Sequence, residues 1–108
     1  MPAPRDPGLN GRPRQRLIAQ VRAEEPNCHI CQQPIDLARD KQTDPLGSVV
    51  DEVIPRSLGG SPADRANVRH AHRLCNGIRG VQDITPPLRL ACRRAVEARQ
   101  GQRHTRQW

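Results

Sequence analysis

A chain of 108 residues has room for one domain, and with 34% hydrophobic residues, no Phe or Tyr and a single Trp it has little apolar bulk to bury. A large aromatic core is excluded, and a metal or disulfide staple is the expected compensation. No run approaches the roughly 20 apolar residues that span a bilayer, and the polar opening "MPAPRDPGLNGRPR" does not resemble a signal peptide, so no membrane association and a soluble, intracellular, cytoplasmic protein are expected. The net charge of +7 is unevenly spread: residues 1–22 carry +4, residues 86–108 carry +5 and the middle −2. Basic arms suit a polyanion such as nucleic acid, and an acidic centre suits a bound cation. Only Lys41 among the eighteen basic residues is lysine, and the planar arginine fork is the better bidentate partner for phosphate.

Residues 1–12 are rich in Pro and Gly without apolar periodicity and read as a disordered basic arm. From Pro13 to Glu25 the spacing of Leu17, Ile18 and Val21 predicts a helix, with Pro13 in its first turn and Pro26 ending it. "PNCHICQQPID" reads as a tight loop between prolines, and residues 36–47 suggest no regular element. "SVVDEV" predicts a strand, and "PRSLGGSPADRAN" a loop. "VRHAH" fits strand or helix equally. "LCNGIRGVQ" predicts a short helix ending near Gly80. Leu88, Ala91, Cys92, Ala95 and Val96 form the apolar stripe of a last helix started by Thr85 and the Pro86–Pro87 pair, with Arg89, Arg93, Arg94 and Arg99 on its other face. The organisation expected is a basic arm over 1–12, a zinc-containing domain over 13–85 and an Arg-rich helix and tail over 86–108.

Cys28-x-x-Cys31 and His72-x-x-Cys75 are two pairs of equal spacing. Structural zinc takes four N/S ligands in a tetrahedron, and two short-spaced pairs supply them with little loop strain. In a reducing setting such pairs read as metal ligands before disulfides. Four protein ligands leave no open coordination position, so the zinc is expected to be structural. His29, between the first two cysteines, could replace one of them, but is expected on the knuckle surface. Cys92, on the apolar stripe, is expected to be a core thiol.

From "VVDEVIPRSLGG" through Asn67 and His72 to "CN" and "RG", the stretch resembles the HNH nucleases of the ββα-metal, or His-Me finger, group, over residues 28 to about 80. The resemblance implies a small α+β fold: a ββα-metal finger with a structural zinc knuckle, flanked by N- and C-terminal helices. It implies that Asp51 and Asn76 ligate a catalytic divalent cation, that Asn67 ties the loop to the strands, that Gly59 and Gly60 make the turn, and that Arg56 and Arg79 contact phosphate. Two protein ligands with oxygen donors suit Mg²⁺ or Mn²⁺, which keep water and substrate oxygens elsewhere. Arg89 and Arg93 on the last helix are added as DNA contacts because of the charge of the C-terminal arm.

One position departs from the family. The general base there is His, and here it is Glu52. A free Glu titrates near about 4.3 and a free His near about 6.5, so the replacement is a weaker proton acceptor. Glu52 as base is the first reading, Glu52 as a further metal ligand the second, and His70 as base the third, the last being awkward because alternation puts His70 on the same face as His72. The expected function is hydrolysis or nicking of DNA phosphodiesters by an HNH endonuclease, a phage-type member linked to DNA packaging, in the host cytoplasm if phage-encoded. The alternative is a catalytically inactive zinc-knuckle protein that binds DNA or serves as a packaging adaptor.

Overall fold

The centre of the molecule is a two-stranded antiparallel sheet with helices packed around it. The computed structural model describes residues 11–101. In chain order these form α1 (Gly11–Glu24), β1 (Ser48–Glu52), β2 (Val68–His72), α2 (Arg73–Arg79) and α3 (Pro86–Glu97), a small α+β arrangement of three helices and one sheet. No helix among the described residues is long and apolar enough to cross a membrane. The disordered arm predicted for 1–12 lies outside the described residues except for Gly11 and Arg12, which open α1; the tail from 102 onward also lies outside them.

β1 follows its β-branched sequence, whereas β2 is a strand because β1 selects it. The register pairs Ser48 with His72, Val50 with His70 and Glu52 with Val68, so the ambiguous "VRHAH" becomes extended by closing a ladder its own periodicity could not specify. The connection contains two short 3-10 turns, Arg56–Leu58 and Arg65–Asn67. Gly59 sits at φ 91°, and a Cβ on Gly60 would collide with the Ile54 carbonyl and crowd Asn67 Nδ2. Both positions therefore demand glycine. Asn67 fastens the loop with three bonds: its Oδ1 accepts from Ile54 N–H (2.8 Å), and its Nδ2 donates to the carbonyls of Ile54 (3.0 Å) and Ser61 (3.1 Å).

α1 begins two residues earlier than Pro13 suggested and buries Val21, with Leu17 and Ile18 half-buried. Ions hold its C-terminal end to the sheet: Arg65 reaches Glu24 (3.0 Å) and Glu25 (2.6 Å), and Arg69 reaches Glu25 (2.7 Å). α3 starts as expected, with Thr85 Oγ1 accepting from Leu88 N–H at 3.3 Å and prolines in the first turn. Its stripe is narrower than the spacing predicts. Cys92 and Val96 are buried and Leu88 half-buried, but Ala91 is exposed. α3 packs on α2 and closes a core of Cys28, Ile30, Cys31, Ile35, Leu46, Ala71, Cys75, Cys92 and Val96. Four of those nine side chains are thiols, which is how a chain without Phe or Tyr fills its interior.

Candidate metal centre

The first ligand pair sits in a turn that the backbone closes on itself. Cys28 N–H donates to Gln33 O (2.9 Å), Gln32 N–H donates to Cys28 O (2.8 Å), and Gln32 takes a left-handed φ of 68° to complete the knuckle. The second pair sits where β2 becomes α2: His72 is the N-cap and Cys75 lies one turn on, which puts both side chains on one side of the helix start. The knuckle docks on β2, with His29 N–H donating to His70 O at 2.9 Å and His72 N–H donating to Cys28 Sγ at 3.4 Å.

The four predicted ligands meet. One donor atom from each of Cys28, Cys31, His72 and Cys75 lies within 4.8 Å of the others, and all four residues are buried. His72 Nδ1 is 3.3 Å from Cys31 Sγ and 3.9 Å from Cys75 Sγ. Its other ring nitrogen, Nε2, donates to the Pro34 carbonyl at 3.2 Å, the kind of outer bond that fixes the tautomer and leaves Nδ1 as the ligand atom. Sulfurs of a tetrahedral zinc site lie about 3.8 Å apart for Zn–S bonds of about 2.3 Å, so the donor set can hold a zinc ion with small contraction.

Within the cluster the thiols and the imidazole shift one another's protonation. Hydrogen bonds from Cys31 and then Cys75 stabilise a thiolate at Cys28 and hold it far below the usual thiol range, while the bonds to Cys28 and Cys31, with burial, push Cys75 far up. Burial works against charge on His72, yet its bonds to Cys28 and Cys31 and their negative charge outweigh it and raise the imidazole to about 9. The Cys28 thiolate and the His72 imidazolium therefore form a coupled pair, and a thiolate is the form of cysteine that ligates a metal. Cys92 is a buried core thiol beside Cys75, its pKa raised chiefly by burial.

At the other end of the hairpin stands Asp51, 6% exposed. Its Oδ2 takes Arg79 Nη1 at 2.8 Å and lies 2.9 Å from His29 Nε2. Arg79 also donates to the carbonyls of Glu52 (3.1 Å), Val53 (2.6 Å) and Gln82 (2.9 Å). This corrects the expectation that Arg79 contacts phosphate: at 3% exposure, with its donors committed to four protein acceptors, it is an interior bolt between β1 and the end of α2. His29 corrects a second expectation. Its side chain is 4% exposed and pairs with Asp51 and not with the thiol cluster. Its partner is twenty-two residues away in sequence, beyond the reach of any local pattern.

The remaining predicted residues divide by partner. Successive strand residues face opposite ways, and accordingly Asp51 meets His29 and Arg79 while Glu52 accepts from Arg56 Nη2 (2.9 Å) and Nε (3.0 Å). His70 is 1% exposed; its Nδ1 donates to Glu25 O (2.6 Å), its Nε2 accepts from the Ser48 hydroxyl (2.7 Å), and burial lowers its pKa. A neutral ring with both nitrogens engaged in the interior is a structural post, so His70 as base is corrected to a packing role. Asn76 is half-buried on α2, three residues before Arg79 and hence on the same helix face. Arg89 bonds the His29 and Ile30 carbonyls at 2.9 and 2.8 Å, and with Arg69 and His29 it lines an open cleft of about 470 Å³. Arg93 is half-exposed and pairs with Glu97 at 3.4 Å. Comparison with family models, with curated proteins and with solved structures finds no match for this chain.

Proposed function

We propose that the chain is a metal-dependent DNA endonuclease of the HNH type, built on a ββα-metal finger with a structural zinc. The observation that carries this reading is the packing of β1, β2 and α2, which sets the Asp51 carboxylate against Arg79, three residues after Asn76 on α2. The loop between the strands, held by Asn67 and turned by Gly59 and Gly60, supports it further. A hard divalent cation fits the oxygen donors left over. Asp51 Oδ1 and the Asn76 side-chain amide make no hydrogen bond among the described residues, and Mg²⁺ or Mn²⁺ takes such oxygens along with water.

When bound, that cation would supply charge neutralisation at phosphorus and at the leaving oxygen. The chain's own residues do the rest. Arg79 holds the Asp51 carboxylate in one orientation, which is the preorganisation that such displacement chemistry needs. Glu52, 17% exposed in its side chain, is the base at the position after Asp51, and its bond to Arg56 must open for it to reach a water. Arg56, Arg69 and Arg93, with side chains about half exposed, and Arg89, lining the open cleft, are arginines available to meet a polyanion.

The two ion pairs favour a second reading. With Asp51 on Arg79 and Glu52 on Arg56, both acids already have cationic partners, as in a chain that keeps the fold and binds DNA without cutting it. Supercoiled plasmid incubated with the zinc-loaded protein and Mg²⁺, Mn²⁺ or EDTA separates the two. Metal-dependent nicking that Asp51→Asn abolishes supports the nuclease; plasmid retention in gel shift without cleavage by any metal supports the binding protein.

A further inference from the structure

We propose that the cleft between the knuckle, β2 and α3 seats one backbone phosphate of DNA, gripped jointly by Arg69 and Arg89. The inference rests on the reading that this chain acts on or binds DNA, and deepens it by naming where the backbone is held.

Three stretches of chain meet at this open cleft of about 470 Å³: Glu25, Asn27 and Gln32 around the knuckle, Arg69 from β2 and Arg89 from α3. Two arginines stand there against one glutamate, and that glutamate is engaged. Glu25 Oε1 accepts from Arg69 Nε at 2.7 Å, and Oε2 accepts from Arg65 Nη2 at 2.6 Å. Its charge is thus shared with a third arginine, and the balance of the cleft favours an anion.

Each of the two lining arginines keeps one whole edge of its guanidinium for a ligand. Arg69 uses only Nε, and its Nη1 and Nη2 make no hydrogen bond among the described residues. Arg89 uses only Nη1, on the His29 and Ile30 carbonyls at 2.9 and 2.8 Å, which leaves Nε and Nη2. Two adjacent N–H donors form the fork that matches two oxygens of one phosphate. Both side chains are tied down before any ligand arrives, Arg69 by Glu25 and Arg89 by the knuckle backbone, so less rotamer freedom is lost on binding.

The seat lies beside the residue read above as a cation ligand. Arg69 pairs with Asp51 in the sheet register, and directly opposed residues of an antiparallel pair project to the same face. His29 also lines the cleft, and its ring meets Asp51 at 2.9 Å. A DNA strand whose phosphate sits between Arg69 and Arg89 therefore passes along the Asp51 face of the hairpin. The knuckle takes part through Arg89, which is anchored on the carbonyls of His29 and Ile30, the two residues between Cys28 and Cys31. A zinc ion that holds the knuckle thereby holds this DNA contact in place.

The test measures anisotropy of two labelled duplexes of unrelated sequence with the full, zinc-loaded chain over a series of salt concentrations, without added Mg²⁺ or Mn²⁺. Arg69→Gln and Arg89→Gln, checked for zinc content and melting temperature, should each weaken binding severalfold and equally for both duplexes, because a phosphate contact carries no sequence information. In the double variant the slope of log K against log salt should fall by about one, the value for a single phosphate. A fall of about two assigns the arginines to separate phosphates and overturns the shared seat. Unchanged affinity and slope overturn the inference while leaving DNA binding intact, and Arg69→Gln alone decides this if Arg89→Gln does not fold. The Arg89 Nε–H signal in ¹⁵N nuclear magnetic resonance should move when duplex is added; movement with inorganic phosphate but not with duplex gives the cleft to a free anion and overturns the inference. A parent chain that retains neither duplex at low salt overturns the inference and the DNA reading together.

Discussion

The two ends of the β1–β2 hairpin handle buried charge in opposite ways. At the His72 end three thiols and an imidazole converge, and the Cys28 thiolate faces the His72 imidazolium inside the cluster. At the Asp51 end one carboxylate is already balanced by a buried guanidinium that also ties down three carbonyls. The first end is a donor set that could hold a zinc ion. The second is complete as protein, and a metal there must share what Arg79 has taken. The thiol cluster lies in the core, where a metal could join α2, β2 and the knuckle, and the Asp51–Arg79 pair lies at the strand end.

The largest effect is expected from zinc removal. Structural zinc contributes about 10–16 kcal/mol in small zinc domains, more than the net stability typical of a domain, about 5–15 kcal/mol. Strong chelation, or Cys75→Ser, should therefore abolish cooperative thermal unfolding followed by circular dichroism. A retained transition would show that the hydrophobic residues suffice and that the two ends are more alike than proposed. Next comes Asp51→Ala, which strands Arg79 in the interior and should cost about 3–5 kcal/mol in denaturant titration. Asp51→Asn keeps the shape and one acceptor and should cost less, so activity lost in that variant alone is attributable to chemistry. A negligible cost for Asp51→Ala would mean that the pair is not the self-sufficient unit described.

Asn67→Ala removes three bonds across the Gly59–Gly60 loop and should cost about 2–3 kcal/mol, read as a shift in the denaturant midpoint at constant slope. Smaller still is the acid response of Glu25. Burial opposes its ionisation, but bonds from Arg69, Arg65 and the His70 backbone hold its carboxyl below the ordinary 4.5. A depressed carboxyl adds stability that is complete above the unfolded value and lost as pH falls through the folded one. The parent should thus lose stability below about pH 4.5 more steeply than Glu25→Gln, measured by melting temperature against pH. Arg56→Ala breaks an exposed i,i+4 pair and should change stability by less than about 1 kcal/mol. If it raises nicking, the Glu52–Arg56 bond restrains the base; unchanged nicking would show that this bond does not limit the reaction.

Much of this fold was legible from local chemistry. Cys28, Cys31, His72 and Cys75 announce themselves by spacing, Gly59 and Gly60 by the turn they permit, and Thr85 with two prolines by the helix they start; each depends on atoms a few residues apart. β2 was not legible, since "VRHAH" becomes a strand only against β1. Nor was the Ala91 error avoidable, because the width of a buried stripe depends on what α3 packs against. The sequence by itself determined that a zinc-capable cluster would form and roughly where each helix would begin. Only the tertiary structure decided that Arg79 is an interior bolt, that His70 is a post, and that His29 faces Asp51. Those roles are hydrogen bonds between groups 22 to 45 residues apart, and a bond of that span is set by how the knuckle, the sheet and α2 meet, a geometry no local pattern encodes.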